Sequence, residues 1–117
     1  MVLSNSCIFC KIIQKTIPST IIKENDHTLV IQDITPKAPI HYLIMPKKHI
    51  ESILALTEQD QAYWWSMLAM AKELGTHIPS KAFNLISNNG AAAGQSVFHA
   101  HFHLLSGKNL YEGGLKL

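Results

Sequence analysis

"GQSVFHAHFHLLSG", residues 94–107, sets three histidines, His99, His101 and His103, at strict alternate positions. A β-strand turns successive side chains to opposite faces. Read as one long strand over QSVFHAHFHLLS, the stretch puts Val97, His99, His101, His103 and Leu105 on one face. Phe98, Ala100, Phe102 and Leu104 fall on the other, an apolar surface for a helix to cover. Three imidazoles in that alternation are costly to bury without partners. Two chemistries want them. Histidines at i and i+2 can hold a zinc ion with a further ligand from elsewhere. Alternatively, a neutral imidazole can attack phosphorus near pH 7 while its neighbours orient it and steady phosphoryl charge. The run SNNGAAAGQS, residues 87–96, favours the second. Its small residues let backbone approach a ligand, and successive N–H groups there can form an anion-binding concavity. Ser96 adds a hydroxyl that can give or take a proton.

Outward from this stretch the chain reads as alternating β and α signals. CIFCKIIQ predicts a helical turn or two, ended by Pro18. TIIKEN and HTLVIQD are β-branched runs about Asn25–Asp26 and predict an antiparallel hairpin. IHYLIMP predicts a buried strand closed by Pro46. Thr57 and Asp60 have capping-box spacing at the head of a long helix. In it Tyr63, Met67, Met70, Ala71 and Leu74 form an apolar stripe, and Gly75 is the expected stop. Trp64 and Trp65 are adjacent, which places one of them at a helix edge or an interface. KAFNLISNN predicts a strand before the small-residue loop. The sum is an α+β fold: a five-stranded antiparallel sheet, one long helix and a short N-terminal helix, in a single domain over 1–117.

Composition agrees. The chain has 117 residues, 47% hydrophobic and 15% charged, which is enough for one core. A net charge of +2, with Lys47–Lys48 the one short basic cluster, gives no footprint for nucleic acid. No apolar run reaches bilayer length, so no membrane partner is expected. The start MVLSNSCIFCK shows no signal-peptide pattern, and a cytoplasmic setting with reduced Cys7 and Cys10 is expected.

The segments CIFCKII, DITPKAPIHYLIMPKKHI and SNNGAAAGQSVFHAHFH together resemble the histidine triad (HIT) nucleotide-binding proteins, over nearly the whole chain. Asn88, thirteen residues before the central histidine, is similar to the Hint branch, the purine nucleoside phosphoramidases. The resemblance implies a nucleotide hydrolase that acts at the α-phosphorus of nucleoside 5′-phosphoramidates, at their P–N bond, or of aminoacyl adenylates. It needs no metal and no other cofactor. It implies His101 as nucleophile and His103 as a contact to phosphate oxygen. The His99 carbonyl would hold the far nitrogen of His101, with His41 in support and Ser96 at the phosphate or leaving amine. Asn88, Gly94 and the Gln95 backbone would surround phosphate and sugar. Asp33 would accept the ribose hydroxyls, although alone it reads as a turn cap before Thr35–Pro36. Ile12, Ile31 and Ile34 would wall a purine. The resemblance also implies a homodimer in which the helix and the last strand pair across a two-fold. Two other readings stay open: a purine-nucleotide scaffold module with incidental hydrolysis, and a dinucleoside polyphosphate hydrolase. The tail LYEGGLKL departs from the Trp-Pro-Pro-Gly ending of the vertebrate-type members, so leaving-group preference does not carry over.

Cys7 and Cys10 supply half of a tetrahedral zinc site at the usual Cys-x-x-Cys spacing. In some relatives the partners match His49 and His99. The other reading is two small buried hydrophobes. His27 and His77 carry no motif.

Overall fold

The computed structural model describes residues 3–115 and Leu117. Five strands form one antiparallel sheet: β1 (Ile21–Glu24), β2 (Thr28–Gln32), β3 (Ile40–Pro46), β4 (Asn84–Ile86) and β5 (Phe102–Ser106). Their spatial order is β1-β2-β3-β5-β4. A short helix, α1 (Ile8–Ile13), precedes the sheet, and a long one, α2 (Gln61–His77), joins β3 to β4. Among the described residues, no helix is long and apolar enough to cross a membrane.

The period-two pattern of the central strands buries both sheet faces. Val30, Ile44, Phe102 and Leu104 meet Met67, Met70 and Ala71 of α2. Leu29, Ile31, Leu43 and Met45 meet Phe9, Cys10, Ile12 and Ile13 of α1 on the opposite face. Each fully buried aliphatic side chain in these layers contributes on the order of 1.5–3 kcal/mol. Trp64 lies on Phe102, ring centroids 5.4 Å apart, whereas Trp65 is 69% exposed.

Several expected boundaries move, each for a local reason. The strand expected over 95–106 begins only at Phe102. Its ladder partner β3 runs in register from Ile40 opposite Ser106 to Ile44 opposite Phe102. Two residues further along β3 comes Pro46, which has no N–H to give a ladder. The amide of Ala100 bonds Ile50 O instead, at 2.6 Å. Phe98 therefore does not join the apolar face under α2; it is 49% exposed. Gly75 is not a helix stop. It is buried inside α2, and a Cβ there would lie 2.3 Å from Cε1 of Phe83. The helix runs on to His77, where Ile78 N–H bonds Gly75 O and Pro79 follows. Pro18 does not end α1 either. Lys15 does, at φ 65°, with Lys15 N–H on Ile12 O and Thr16 N–H on Lys11 O, a Schellman closure with lysine in the left-handed position. The capping box is present: Thr57 and Asp60 close the turn Glu58–Asp60 that feeds α2. Finally, the last strand cannot pair across a two-fold. β5 lies between β3 and β4, so the open sheet edges belong to β1 and β4.

Candidate active site

The three histidines come from a segment that is half loop and half strand. His99 is completely buried and bonds in three directions. Its Nε2 lies 2.8 Å from Pro46 O, and its Nδ1 lies 3.4 Å from Cys7 Sγ and 3.5 Å from Cys10 Sγ. Its carbonyl oxygen is 2.7 Å from Nδ1 of His101. A carbonyl only accepts, so His101 donates Nδ1–H and its lone pair is left on Nε2. That tautomer is the one a nitrogen nucleophile needs. The ring of His101 is 8% exposed, and its centroid lies 5.0 Å from both Phe9 and His103. Burial holds its pKa below the ordinary histidine value, against the opposing pull of the His99 carbonyl and Asp33. The ring therefore stays neutral.

His103 stands on β5 opposite Leu43. Its Nδ1 lies 2.9 Å from Nε2 of His41, which β3 carries beside it. His41 Nδ1 receives the backbone N–H of Lys37 at 3.1 Å, and Asp33 Oδ2 lies 3.4 Å from His41 Nε2. Burial, then the neighbouring His101 and His41, push His103 down to about 4. Burial also lowers His41, with Asp33 opposing. Asp33 is the turn cap and also reaches the histidines. Its Oδ1 caps the turn by accepting Thr35 N–H at 2.8 Å, while its other oxygen faces the histidines.

A cavity of about 350 Å³ opens here, lined by Asp33, Thr35, Lys37, His41, Ile86, Asn88, Ser96, His103 and Leu105. It brings together Asp33, Asn88, Ser96, His41 and His103, while His101 and His99 are not in its lining. Gly94 and Gln95 are placed differently. Gly94 N–H bonds Ala91 O and Gln95 N–H bonds Gly90 O, so both amides are used within the loop. Gly94 takes φ +97°, where the loop turns. The side chain of Gln95, 4% exposed, ties the loop down: Nε2 donates to Glu51 O at 2.7 Å and Val97 O at 3.0 Å, and Oε1 accepts Gly90 N–H at 2.8 Å. Ile12 and Ile31 are core, and Ile34 is 90% exposed. Sequence reasoning missed Thr35 and Lys37, whose only signal was their place between Asp33 and His41. It also missed Phe9, an apolar residue like any other until the fold sets it on two imidazoles.

The cysteines make a second constellation. Cys7 Sγ caps α1 by accepting Cys10 N–H at 3.4 Å. Cys10 Sγ lies 3.3 Å from His49 Nδ1. The four donor atoms of Cys7, Cys10, His49 and His99 all lie within 4.8 Å of one another. Zinc held tetrahedrally at 2.0–2.3 Å sets neighbouring donors roughly 3.3–3.8 Å apart. Three of the pairs, at 3.3–3.5 Å, fit, and the rest lie within 4.8 Å. The His99 Nε2–H on Pro46 O leaves Nδ1 as a lone pair aimed at the sulfurs, the outer-shell arrangement of a ligating histidine. Burial raises Cys10, as for a thiol in an apolar setting without a cation. Two buried cysteines are what the bland reading expected; two imidazole nitrogens within 4.8 Å of both sulfurs are not.

His27 packs edge-on against Tyr63, and His77 Nδ1 bonds Glu73 O near the end of α2. Neither touches the cavity.

Comparison with known proteins shows the family and the fold. The HIT domain family model matches residues 14–110. An uncharacterized HIT-like protein of Synechocystis is 40% identical over 107 residues, 91% of this chain and 94% of its own. The solved HIT family hydrolase of Clostridium thermocellum is 40% identical, with a TM-score of 0.87 over 97% of this chain and 98% of its own. The histidine triad nucleotide-binding protein of Candida albicans is 36% identical, with a TM-score of 0.78 over 85% of this chain and 73% of its own.

Proposed function

The chain belongs to the HIT domain family, and on that premise we propose that it is a nucleotide hydrolase that acts at the α-phosphorus of purine nucleoside 5′-phosphoramidates, cleaving the P–N bond, or of aminoacyl adenylates, cleaving the P–O bond to the acyl group. The observation that carries this reading is the 2.7 Å bond from His101 Nδ1 to the His99 carbonyl, which frees Nε2 for attack. In the proposed reaction His101 Nε2 forms a bond to the α-phosphorus. The bond from phosphorus to the leaving group breaks; a phosphoramidate's amine departs with a proton relayed from water through Ser96, and an aminoacyl adenylate's carboxylate departs as the anion. Water then attacks the nucleotidyl-histidine, releasing nucleoside monophosphate and restoring the neutral ring. His103 contacts a phosphoryl oxygen, Ser96 the phosphate or the departing amine, and Asp33 the ribose hydroxyls. Asn88 lies beside the phosphate. Gly94 and Gln95 act by shaping the loop that presents Ser96. The relatives named as a hydrolase and as a nucleotide-binding protein support the class.

In the same reading Cys7, Cys10, His49 and His99 hold a structural zinc ion, which would cross-link α1 to the His99 segment and take no part in the bond changes. A cytoplasmic setting keeps such thiols reduced. The chain acts as a homodimer through α2 and the open edge of β4, where Trp65, Phe83 and Ile86 are exposed.

The test is to mix enzyme with adenosine 5′-phosphoramidate, quench within one turnover and map the modified peptide by mass spectrometry. The peptide bearing His101 is expected to carry one nucleotidyl group, and a phosphoramidase that never labels it contradicts the mechanism. Metal analysis of the same preparation is expected to give about one zinc per chain, lost in Cys10→Ser.

A further inference from the structure

The hydrogen-bond chain that ends on His103 has a direction, and the backbone sets it. The amide nitrogen of Lys37 can only donate, so His41 Nδ1, 3.1 Å away, accepts. A neutral imidazole has one N–H, so the proton of His41 sits on Nε2. Nε2 lies 2.9 Å from His103 Nδ1 and 3.4 Å from Asp33 Oδ2. The shorter contact makes His103 Nδ1 the acceptor. By the same count, the proton of His103 sits on its own Nε2. Burial keeps both rings neutral, which the counting requires.

We propose that the backbone amide of Lys37 is a positioning group: it fixes the proton order along Lys37 N–H, His41 and His103, so that His103 presents a neutral N–H to the phosphoryl oxygen. The inference rests on the phosphoryl-transfer reading above and deepens it. With the order reversed, His103 would turn a lone pair toward an anionic oxygen. In TPKAP, residues 35–39, proline stands at 36 and 39 but not at 37, where it would delete the amide hydrogen.

One corollary concerns metal binding. The donor atoms of Asp33, His41 and His103 also lie within 4.8 Å of one another, a 2-His-1-carboxylate set by composition. His41 could offer Nε2 to a cation only by moving its proton to Nδ1, against the amide of Lys37. The set is a proton wire and not a ligand cage.

The experiment uses the full-length protein, ¹⁵N-labelled at histidine, at a pH above the histidine range. Long-range ¹H–¹⁵N spectra are expected to show His41 and His103 both protonated on Nε2. A His103 protonated on Nδ1 overturns the proposal outright, whatever the enzyme does. Lys37→Ala keeps the amide and is expected to keep both tautomers. Lys37→Pro removes it and is expected to give a mixed His41 tautomer. It should also lower kcat on adenosine 5′-phosphoramidate by roughly tenfold, the size of one lost hydrogen bond, with KM little changed. Unchanged tautomers in a folded Lys37→Pro variant also overturn the proposal. Should that variant not fold, His41→Gln, which keeps a donor nitrogen at the same reach, is expected to retain more kcat than His41→Phe, and equal losses count against it. If the wild type spares the phosphoramidate while showing the expected tautomers, the functional reading fails and the proton order stands.

Discussion

Residues 94–101 and 102–106 share one alternating pattern, yet they are built in different ways. From Phe102 to Ser106 the backbone is held by ladders to β3 and β4, and the side chains divide cleanly: Phe102 and Leu104 under α2, His103 and Leu105 toward the cavity side. Upstream no ladder exists. The His99 carbonyl goes to a ring nitrogen, the Ala100 amide to Ile50, and the Val97 carbonyl to Gln95. Alternation thus reports which way a side chain faces and not what holds its backbone. The strand half supplies stability. The loop half spends its backbone polar groups on orienting the reactive ring, and the two halves should respond to mutation in different currencies.

The largest contrast is expected at His101. His101→Ala should lower kcat/KM by at least about a thousandfold, as for removal of a nucleophile. Stability should fall by only about 1–3 kcal/mol, the cost of leaving the His99 carbonyl without its partner, and the variant should remain folded. A variant that keeps more than a tenth of the activity would put the chemistry elsewhere. Leu104→Ala should do the reverse. Leu104 is fully buried between the sheet and α2, so its truncation should cost about 2–5 kcal/mol in urea unfolding. At temperatures where the variant is folded, kcat should stay within a few-fold of wild type. Large kcat loss at unchanged stability would show that the two halves are not separable.

His103 straddles the boundary and gives a third test. Its pKa is about 4 in the folded chain and near 6.5 when unfolded. Above about 6.5 neither state is protonated at this ring, and its neutral burial costs no proton linkage. As pH falls from there toward 4, the unfolded chain binds the proton first. Stability is then lost at up to about 1.4 kcal/mol per pH unit, and the loss is complete below the folded pKa. Unfolding free energies of wild type and His103→Gln across this window should converge as pH falls. Parallel curves would mean that another group carries the acid sensitivity.

Legibility follows the same divide. Elements whose ends carry a local signal were readable from period, turn residues and caps: the hairpin, β3 to its last residue, and α2 behind its capping box. Elements whose ends depend on distant partners were not. The start of β5 is set by Pro46 across the sheet, and Gly75 answers to Phe83 and not to a helix end; α1 was hidden for a local reason, since it closes on a left-handed lysine at a position that favours glycine. In the site, the histidine row was visible because its members are neighbours in sequence. The contact of His41 with His103 spans 62 residues and that of Cys10 with His49 spans 39, and residue types alone do not show which distant ring arrives.

Gln95 offers the finest test of how the loop half is held. Its amide satisfies two carbonyls and one N–H that no ladder reaches. Gln95→Leu keeps the volume and leaves Gly90 N–H, Glu51 O and Val97 O without that partner. The loop is largely exposed, so water can recover part of the loss, and the cost should fall near the low end of about 1–3 kcal/mol. The more telling effect is local. The Gly90 amide should exchange its hydrogen faster than in wild type. Activity should drop several-fold, because Ser96 follows Gln95 directly and loses its fixed position. The amides of Phe102–Ser106 should keep their protection, since their ladders do not pass through this side chain. If protection falls equally across 90–106, the loop and the strand unfold as one unit, and the division between them is one of geometry alone.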